Sequence, residues 1–256
     1  MLATDSKLPV TSGAEKRAYV RGIFTEIAPR YDLLNHLLSL NVDRRWRRNA
    51  VGLLDWERAP AGRYLDLCAG TLDLAATLAR RPGFTGQIIG ADFVLPMLRL
   101  GRHKAERVQP LNADALVLPF ADGIFDGATV GFGVRNLADL DQGLAEAARV
   151  LRPGARLVIL EFSTPPRQPM RAAYFFYFKR MLPLIGRLVS KHRTAYTYLP
   201  ESVLAFPEPD ALSRRLAAAG FDAVEYRLLF GGICAIHSGV RTSGSVAGPA
   251  PSTPSR

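Results

Sequence analysis

The chain has 256 residues, 48% hydrophobic and 22% charged, which suits one large or two small globular domains and excludes a disordered or collagen-like chain. Two cysteines and four scattered histidines argue against a disulfide framework or a structural metal. No apolar run reaches the ~18 residues of a membrane span, and Met1 to Lys16 lack the apolar core of a secretory signal, so the expected location is cytoplasmic. The net charge of +10 points to an anionic partner.

In chain order, residues 1–13 and 241–256 are small and polar and read as disordered tails around one domain, 14–240. From Ala14 to Leu54 apolar side chains recur at helical spacing, and Pro29 and Asn41 divide the stretch into about three helices, a cap over residues 14–60. From Arg63 the pattern changes. Short apolar runs at Tyr64–Leu67, Gln87–Ala91, Val108–Leu111, Phe125–Phe132 and Arg156–Glu161 read as strands. Between them lie helix-like stretches at Asp73–Arg80, Leu95–Arg107 and Asp139–Leu151. This alternation predicts right-handed βαβ units in a doubly wound, mostly parallel α/β sheet. An insertion at 164–206 follows, then a helix at Asp210–Ala219 and two last strands, Ala223–Leu229 and Gly232–His237.

Ligands of an open parallel sheet bind at the carboxyl ends of its strands. The loop after the first strand reads Asp66-Leu67-Cys68-Ala69-Gly70-Thr71-Leu72-Asp73. Its small residues let backbone approach a ligand, and the G-x-G-x-x-G dinucleotide fingerprint is absent. Asp92 closes the second strand, where a carboxylate can take a ribose diol, and Asp114-Ala115 follows the third. The three strand ends together suit S-adenosylmethionine. Taken singly, Asp66 and Asp92 serve equally well as helix caps.

Five ordered motifs carry a resemblance: Tyr31-Asp32-Leu33-Leu34-Asn35 with Ser39 and Trp46; Leu118-Pro119-Phe120 with Phe125-Asp126; Phe132-Gly133-Val134-Arg135-Asn136; Arg149 to Gly154 leading to Leu160-Glu161-Phe162-Ser163; and Tyr198-Leu199 with Glu201-Ser202. Over Tyr19 to Val240 the chain resembles the ubiquinone/menaquinone biosynthesis C-methyltransferases, Class I S-adenosylmethionine-dependent enzymes. The resemblance implies a seven-stranded sheet with an antiparallel last hairpin, and cofactor contacts by Thr71, Asp92, Asp114 and Ala115, to which the loop reading adds Asp66 and Gly70. It also implies methyl transfer to a ring carbon of a polyprenylated quinol, demethylmenaquinol or the ubiquinone-pathway precursor. Cys68, Ala69 and Leu72 replace an alanine and two glycines of the family loop, and Leu72 is expected to crowd the cofactor. Gly131 stands where many members have serine, and Ala155 replaces a glycine.

Methyl transfer from a sulfonium needs alignment and a nucleophilic carbon. Arg135 is the expected electrostatic stabiliser of a quinolate and Asn136 its hydrogen-bond partner, with water or His237 taking the proton. The insertion is aromatic and basic. Phe162 to Pro200 contain no acidic residue, which predicts a contact with an anionic membrane surface, a lid over the substrate, or plain core packing. Homo-oligomers are compatible with the sequence. Two other readings stay open: a cofactor-free binding protein on the same scaffold, motivated by Leu72, and an RNA-binding methyltransferase, motivated by the arginine clusters at Arg44–Arg48 and in the insertion. No recognised nucleic-acid fold accompanies that charge, so nucleic acid is not expected as a partner.

Overall fold

The computed structural model describes residues 13–33, 39, 41–177, 180 and 193–243. The strands are β1 (Arg63–Leu67), β2 (Gln87–Asp92), β3 (Val108–Asn112), β4 (Phe125–Gly131), β5 (Leu151–Phe162), β6 (Phe221–Leu229) and β7 (Cys234–Arg241). They form one 7-stranded sheet in the order β3-β2-β1-β4-β5-β7-β6. β1 pairs in parallel with both β2 and β4, so the winding reverses beside β1 and opens a crevice at its carboxyl end. β7 lies antiparallel between β5 and β6.

The helices are α1 (Gly13–Ile27), α2 (Asp43–Gly52), α3 (Asp73–Ala79), α4 (Leu95–Gly101), α5 (Leu140–Val150), α6 (Met170–Phe176), α7 (Arg193–Ala205) and α8 (Pro209–Ala218). Alternation along the strands assigns residues to two cores. Leu65, Leu67, Leu157 and Ile159 face Leu144 of α5 and Leu212 and Leu216 of α8. Tyr64, Val158 and Leu160 join Trp46 and Val51 of α2 with Leu74 and Leu78 of α3 on the other face. Removing one such buried leucine costs about 2–5 kcal/mol.

Several elements depart from the sequence pattern. The helix expected to run to Arg107 ends at Gly101. There α4 passes so close to the loop after β1 that a Cβ on Gly101 would lie 2.2 Å from the Thr71 carbonyl oxygen. β5 starts at Leu151, immediately after α5, because Leu151 already pairs with Phe125 across a bulge. The expected C-terminal tail begins too early: Arg241 ends β7, and its Nε donates to the Ala148 carbonyl at 2.7 Å. The N-terminal tail up to residue 12, the tail beyond residue 243 and most of the middle cap helix lie outside the described residues, as do residues 178–179 and 181–192 of the insertion.

Asp66 ties this architecture together. At 1% exposure, it accepts the Ala75 N–H of α3 and the Thr129 hydroxyl of β4, each at 2.9 Å. Burial pushes its pKa up to about 7. A carboxyl with a raised folded-state pKa contributes stability below its ordinary pKa of about 4 and loses that contribution as pH rises through its folded-state value. Urea unfolding of wild type and Asp66→Asn at pH 4, 6 and 8 is therefore expected to show the variant gaining relative to wild type as pH rises. A difference independent of pH would show that Asp66 titrates as an ordinary surface carboxylate.

Candidate active site

The loop after β1 makes the floor of the cleft. It turns from a central strand into α3 within residues 68–72 by placing Cys68, Gly70 and Leu72 at φ of 53°, 52° and 65°. For the two non-glycine residues this left-handed region costs on the order of 1–2 kcal/mol each. Phe132, after β4, adopts φ 57° opposite them. A Cβ on Gly133 would lie 2.3 Å from the Cys68 Cβ, so the two strand-end loops are in van der Waals contact.

Leu72 does not crowd the cleft. Its side chain is fully buried beneath the loop, and a Cβ on Gly90 of β2 would lie 2.2 Å from its Cδ2. Leucine thus replaces glycine at a cost in backbone strain that is offset by core burial, and Gly90 supplies the space.

Three adjoining lobes of an open cleft, with about 430, 340 and 340 Å³ of empty space including the solvent at their mouths, share Cys68 on their walls. The largest is mostly apolar, with Val20 and Phe24 of α1, Tyr31, Met97 and Phe132, and it reaches Asn136. The second contains Arg47, Asp66, Thr71 and Asp73. The third contains Arg17, Asp114, Ala115 and Leu137. Asp92 borders the first and third.

The expected cofactor residues all border this cleft, in different states. Asp92 accepts the Gly70 N–H at 2.8 Å and the Val94 N–H at 2.7 Å, one on each oxygen, and burial raises its pKa. Each oxygen keeps a further lone pair for a ligand. Asp114 accepts the Leu116 N–H at 3.0 Å and pairs with Arg17 of α1 at 2.7 Å. Gly70 offers backbone alone, and Ala115 lies buried at the third lobe. The Thr71 hydroxyl donates to Asp32 at 2.5 Å. Asp66 borders the second lobe, yet at 1% exposure it is covered almost completely, with one oxygen on α3 and the other on β4, the capping alternative.

The expected catalytic trio is not brought together. Asn136 reaches the cleft. Its Oδ1 accepts the Tyr198 hydroxyl at 2.9 Å and its amide nitrogen donates to the Phe132 carbonyl at 3.3 Å, which leaves one amide N–H over. Arg135 is not the free cation the sequence suggested. Its guanidinium pairs with buried Glu161 at 2.7 Å, donates to the Phe132 carbonyl and stacks over Phe162 at 5.3 Å. Glu161 also accepts the Phe162 N–H at 2.8 Å, so the positive charge is neutralised within the fold. His237 stands apart as well. It pairs with Ile159 within β7, its Nε2 lies 3.0 Å from the Pro209 carbonyl at the start of α8, and its ring stacks on Tyr226. Burial lowers its pKa, and it borders none of the three lobes, so the proton-acceptor expectation is corrected.

The sequence pattern marked a helical cap over residues 14–60 but not the contacts that hold it. Lys16 of α1 donates to the Leu137 carbonyl at 2.6 Å and the Arg135 carbonyl at 3.3 Å. Tyr19 meets Tyr198 edge to face at 5.8 Å. In an amphipathic helix Lys16 looks like a solvated polar position; no local signal marks the loop carbonyls that it meets across the fold.

A family profile described as the ubiE/COQ5 methyltransferase family matches residues 11–241. The chain belongs to this family. It is 54% identical over 224 residues to a demethylmenaquinone methyltransferase of Thermus thermophilus, covering 86% of this chain and 100% of that one. It is 45% identical to the ubiquinone/menaquinone biosynthesis C-methyltransferase UbiE of Geobacter sulfurreducens, covering 92% and 93%. Among solved structures, an S-adenosylmethionine-dependent methyltransferase of Thermotoga maritima, titled a possible histamine N-methyltransferase, superposes with a TM-score of 0.62 at 18% identity, covering 87% of this chain and 100% of that one. The fold is that of Class I enzymes, and family membership makes this chain a methyltransferase with S-adenosylmethionine as methyl donor.

Because the Leu72 side chain lies in the core, Leu72→Gly is expected to lower stability by about 2–4 kcal/mol, the lost burial exceeding the relieved strain. Calorimetric affinity for S-adenosylmethionine should stay within about twofold of wild type. A clear gain in affinity would show that Leu72 faces the ligand after all.

Proposed function

We propose that this methyltransferase converts demethylmenaquinol to menaquinol by C-methylation of the ring, with the ubiquinone precursor as the alternative substrate. The observation that carries the reading is the cleft itself: a polar lobe at Arg47, Thr71 and Asp73 and a mixed lobe at Asp114 and Ala115 both meet, at Cys68, a larger apolar lobe that reaches Asn136. The likeness to relatives bearing demethylmenaquinone methyltransferase names supports the choice of quinol.

The residues present fit the cofactor. Asp92 keeps lone pairs for a ribose diol, Asp114 and Ala115 border the lobe beside it for the adenine, and Gly70 and Thr71 lead away on the other side. Bound there, S-adenosylmethionine supplies a methyl group on a sulfonium that departs as a neutral thioether. The chain's own task is to align the ring and favour its ionised hydroxyl. The spare amide N–H of Asn136 donates to that oxygen, and Tyr198, bonded to Asn136 Oδ1, fixes the amide with its nitrogen toward the ring. Arg135 and Glu161 act as positioning residues: their buried pair holds the turn that carries Asn136. The released proton passes to water.

The same reading includes contact with an anionic membrane, where a polyprenylated substrate resides. Its support is an exposed apolar corner at the carboxyl end of the sheet. Phe230 is 62% exposed, and Gly231 beside it lies against Met170. Arg167 and Arg171, close to Met170 in sequence, are exposed. Among the described residues no helix is long and apolar enough to cross a membrane.

The decisive assay incubates the enzyme with methyl-labelled S-adenosylmethionine and reduced demethylmenaquinone in lipid vesicles and detects ring-methylated product by mass spectrometry. Transfer to the naphthoquinol is expected, and no transfer to either quinol would sink the proposal. Asp92→Ala should weaken cofactor binding about 30- to 150-fold. Asn136→Ala should lower kcat about 10²-fold while cofactor affinity stays within a few-fold. Loss of cofactor affinity as the sole effect of Asn136→Ala would reassign that residue to the cofactor site.

A further inference from the structure

The basic run Arg44–Arg48 has no place in the proposed chemistry, and α2 divides it. Arg44, Arg45 and Arg48 are exposed, whereas Asp43, Trp46, Arg47 and Ala50 face inward at helical spacing. Trp46 packs near Phe132, 6.4 Å between ring centroids. Arg47, 7% exposed, is carried to the wall of the second lobe beside Tyr31, Thr71 and Asp73.

The partners of Arg47 leave a pair of functions open. Asp43 holds Nη1. Nη2 lies 3.3 Å from Asp73 Oδ2, an ionic contact, and that oxygen is buried without any hydrogen-bond donor. Asp73 Oδ1 is taken by Lys104 at 2.5 Å, and Lys104 also binds Asp32 at 2.7 Å, whose other oxygen receives the Thr71 hydroxyl. A buried arginine and an orphaned carboxylate oxygen side by side form a site for a zwitterion. An ammonium satisfies Asp73 Oδ2, a carboxylate takes the guanidinium, and the neutral guest leaves the balance of charge unchanged.

We propose that Arg47, with Asp73 beside it, holds the α-amino-acid end of the cofactor. The inference rests on the cofactor reading above. A ligand with its ribose on Asp92 and its chain crossing Gly70 enters this lobe next, because Gly70 borders both spaces. Arg47 confers specificity here. A nucleoside without the amino-acid end fills the adenosine lobes equally well but leaves the Arg47 and Asp73 pair without a guest.

The test is calorimetric titration of wild type, Arg47→Met and Arg47→Lys with S-adenosylhomocysteine, its decarboxylated analogue and 5′-methylthioadenosine, which lacks the amino-acid end. Wild type should bind S-adenosylhomocysteine about 30-fold or more tighter than the decarboxylated analogue, the ratio of one charge-assisted bidentate contact. Arg47→Met should compress that preference to within about threefold and leave methylthioadenosine affinity unchanged. Arg47→Lys should keep an intermediate preference. Equal weakening of all three ligands in Arg47→Met would make Arg47 a strut between α2 and α3 and overturn the inference, as would a preference that survives the substitution. If Arg47→Met fails to fold, the wild-type ratio and Arg47→Lys decide: no wild-type preference for the carboxylate overturns the proposal. Failure of wild type to bind any adenosine ligand overturns the cofactor reading and this inference together. Tight methylthioadenosine binding without a carboxylate preference overturns this inference alone.

Discussion

The structure depends on how the chain leaves β1. Between Leu67 and Asp73 it must turn from a central, doubly paired strand into a helix packed on the same sheet, and it does so with three residues in the left-handed region. That conformation is unfavourable for Cys68 and Leu72 and persists because its surroundings leave no alternative. Leu72 is locked into the space left by Gly90, Gly101 lets α4 close against Thr71, and Asp66 clamps α3 and β4 from below. The result is a half-buried ribbon of backbone at Cys68 to Gly70, running into buried Thr71 at the point where the sheet reverses its winding.

Charge is organised around that ribbon. The two N-terminal helices bring Lys16, Arg17 and Arg47 across the strand ends, each meeting oxygens of the sheet's loops or of α3. α2 is also fixed by apolar packing, Trp46 and Val51 entering one core of the sheet, whereas α1 meets the strand-end loops through Lys16 and Arg17 and packs Val20 and Ile23 on Tyr198 in a small core of its own. The exposed pair of Arg17 with Asp114 can part at modest cost, since both groups find water when they separate. The Arg135 and Glu161 pair behaves in the opposite sense. Both partners are buried, and breaking it by removing one side would leave an uncompensated charge worth about 3–5 kcal/mol.

The contrast between Arg47 and Arg135 follows from burial and partners, not from residue type. Arg135 meets a carboxylate that also takes two backbone donors, and although its Nε is left without an acceptor it borders none of the three lobes, so its charge serves the fold. Arg47 shares a network in which one carboxylate oxygen remains without a donor. An arginine in a partly satisfied network beside a cavity is placed to receive a ligand.

The sequence by itself determined the architecture and its end. Alternating apolar runs and amphipathic stretches specify strand–helix units, and such units can bury both faces of a parallel sheet in few ways, so the doubly wound fold and the cleft at the ends of β1, β2 and β3 were legible from periodicity and loop composition. The five family motifs were legible for the same reason that they are local. What only the tertiary structure decided is the state of each polar group. Whether Leu72 points at the ligand or into the core depends on a glycine in another strand. Whether Arg135 is a free cation depends on Glu161 at the end of β5, His237 is removed from the cleft by its position within β7, and Arg47 is turned inward by one helical face among four arginines. Charge and orientation are set by partners distant along the chain, and a sequence pattern reports a residue's neighbours along the backbone, not those it meets across the fold.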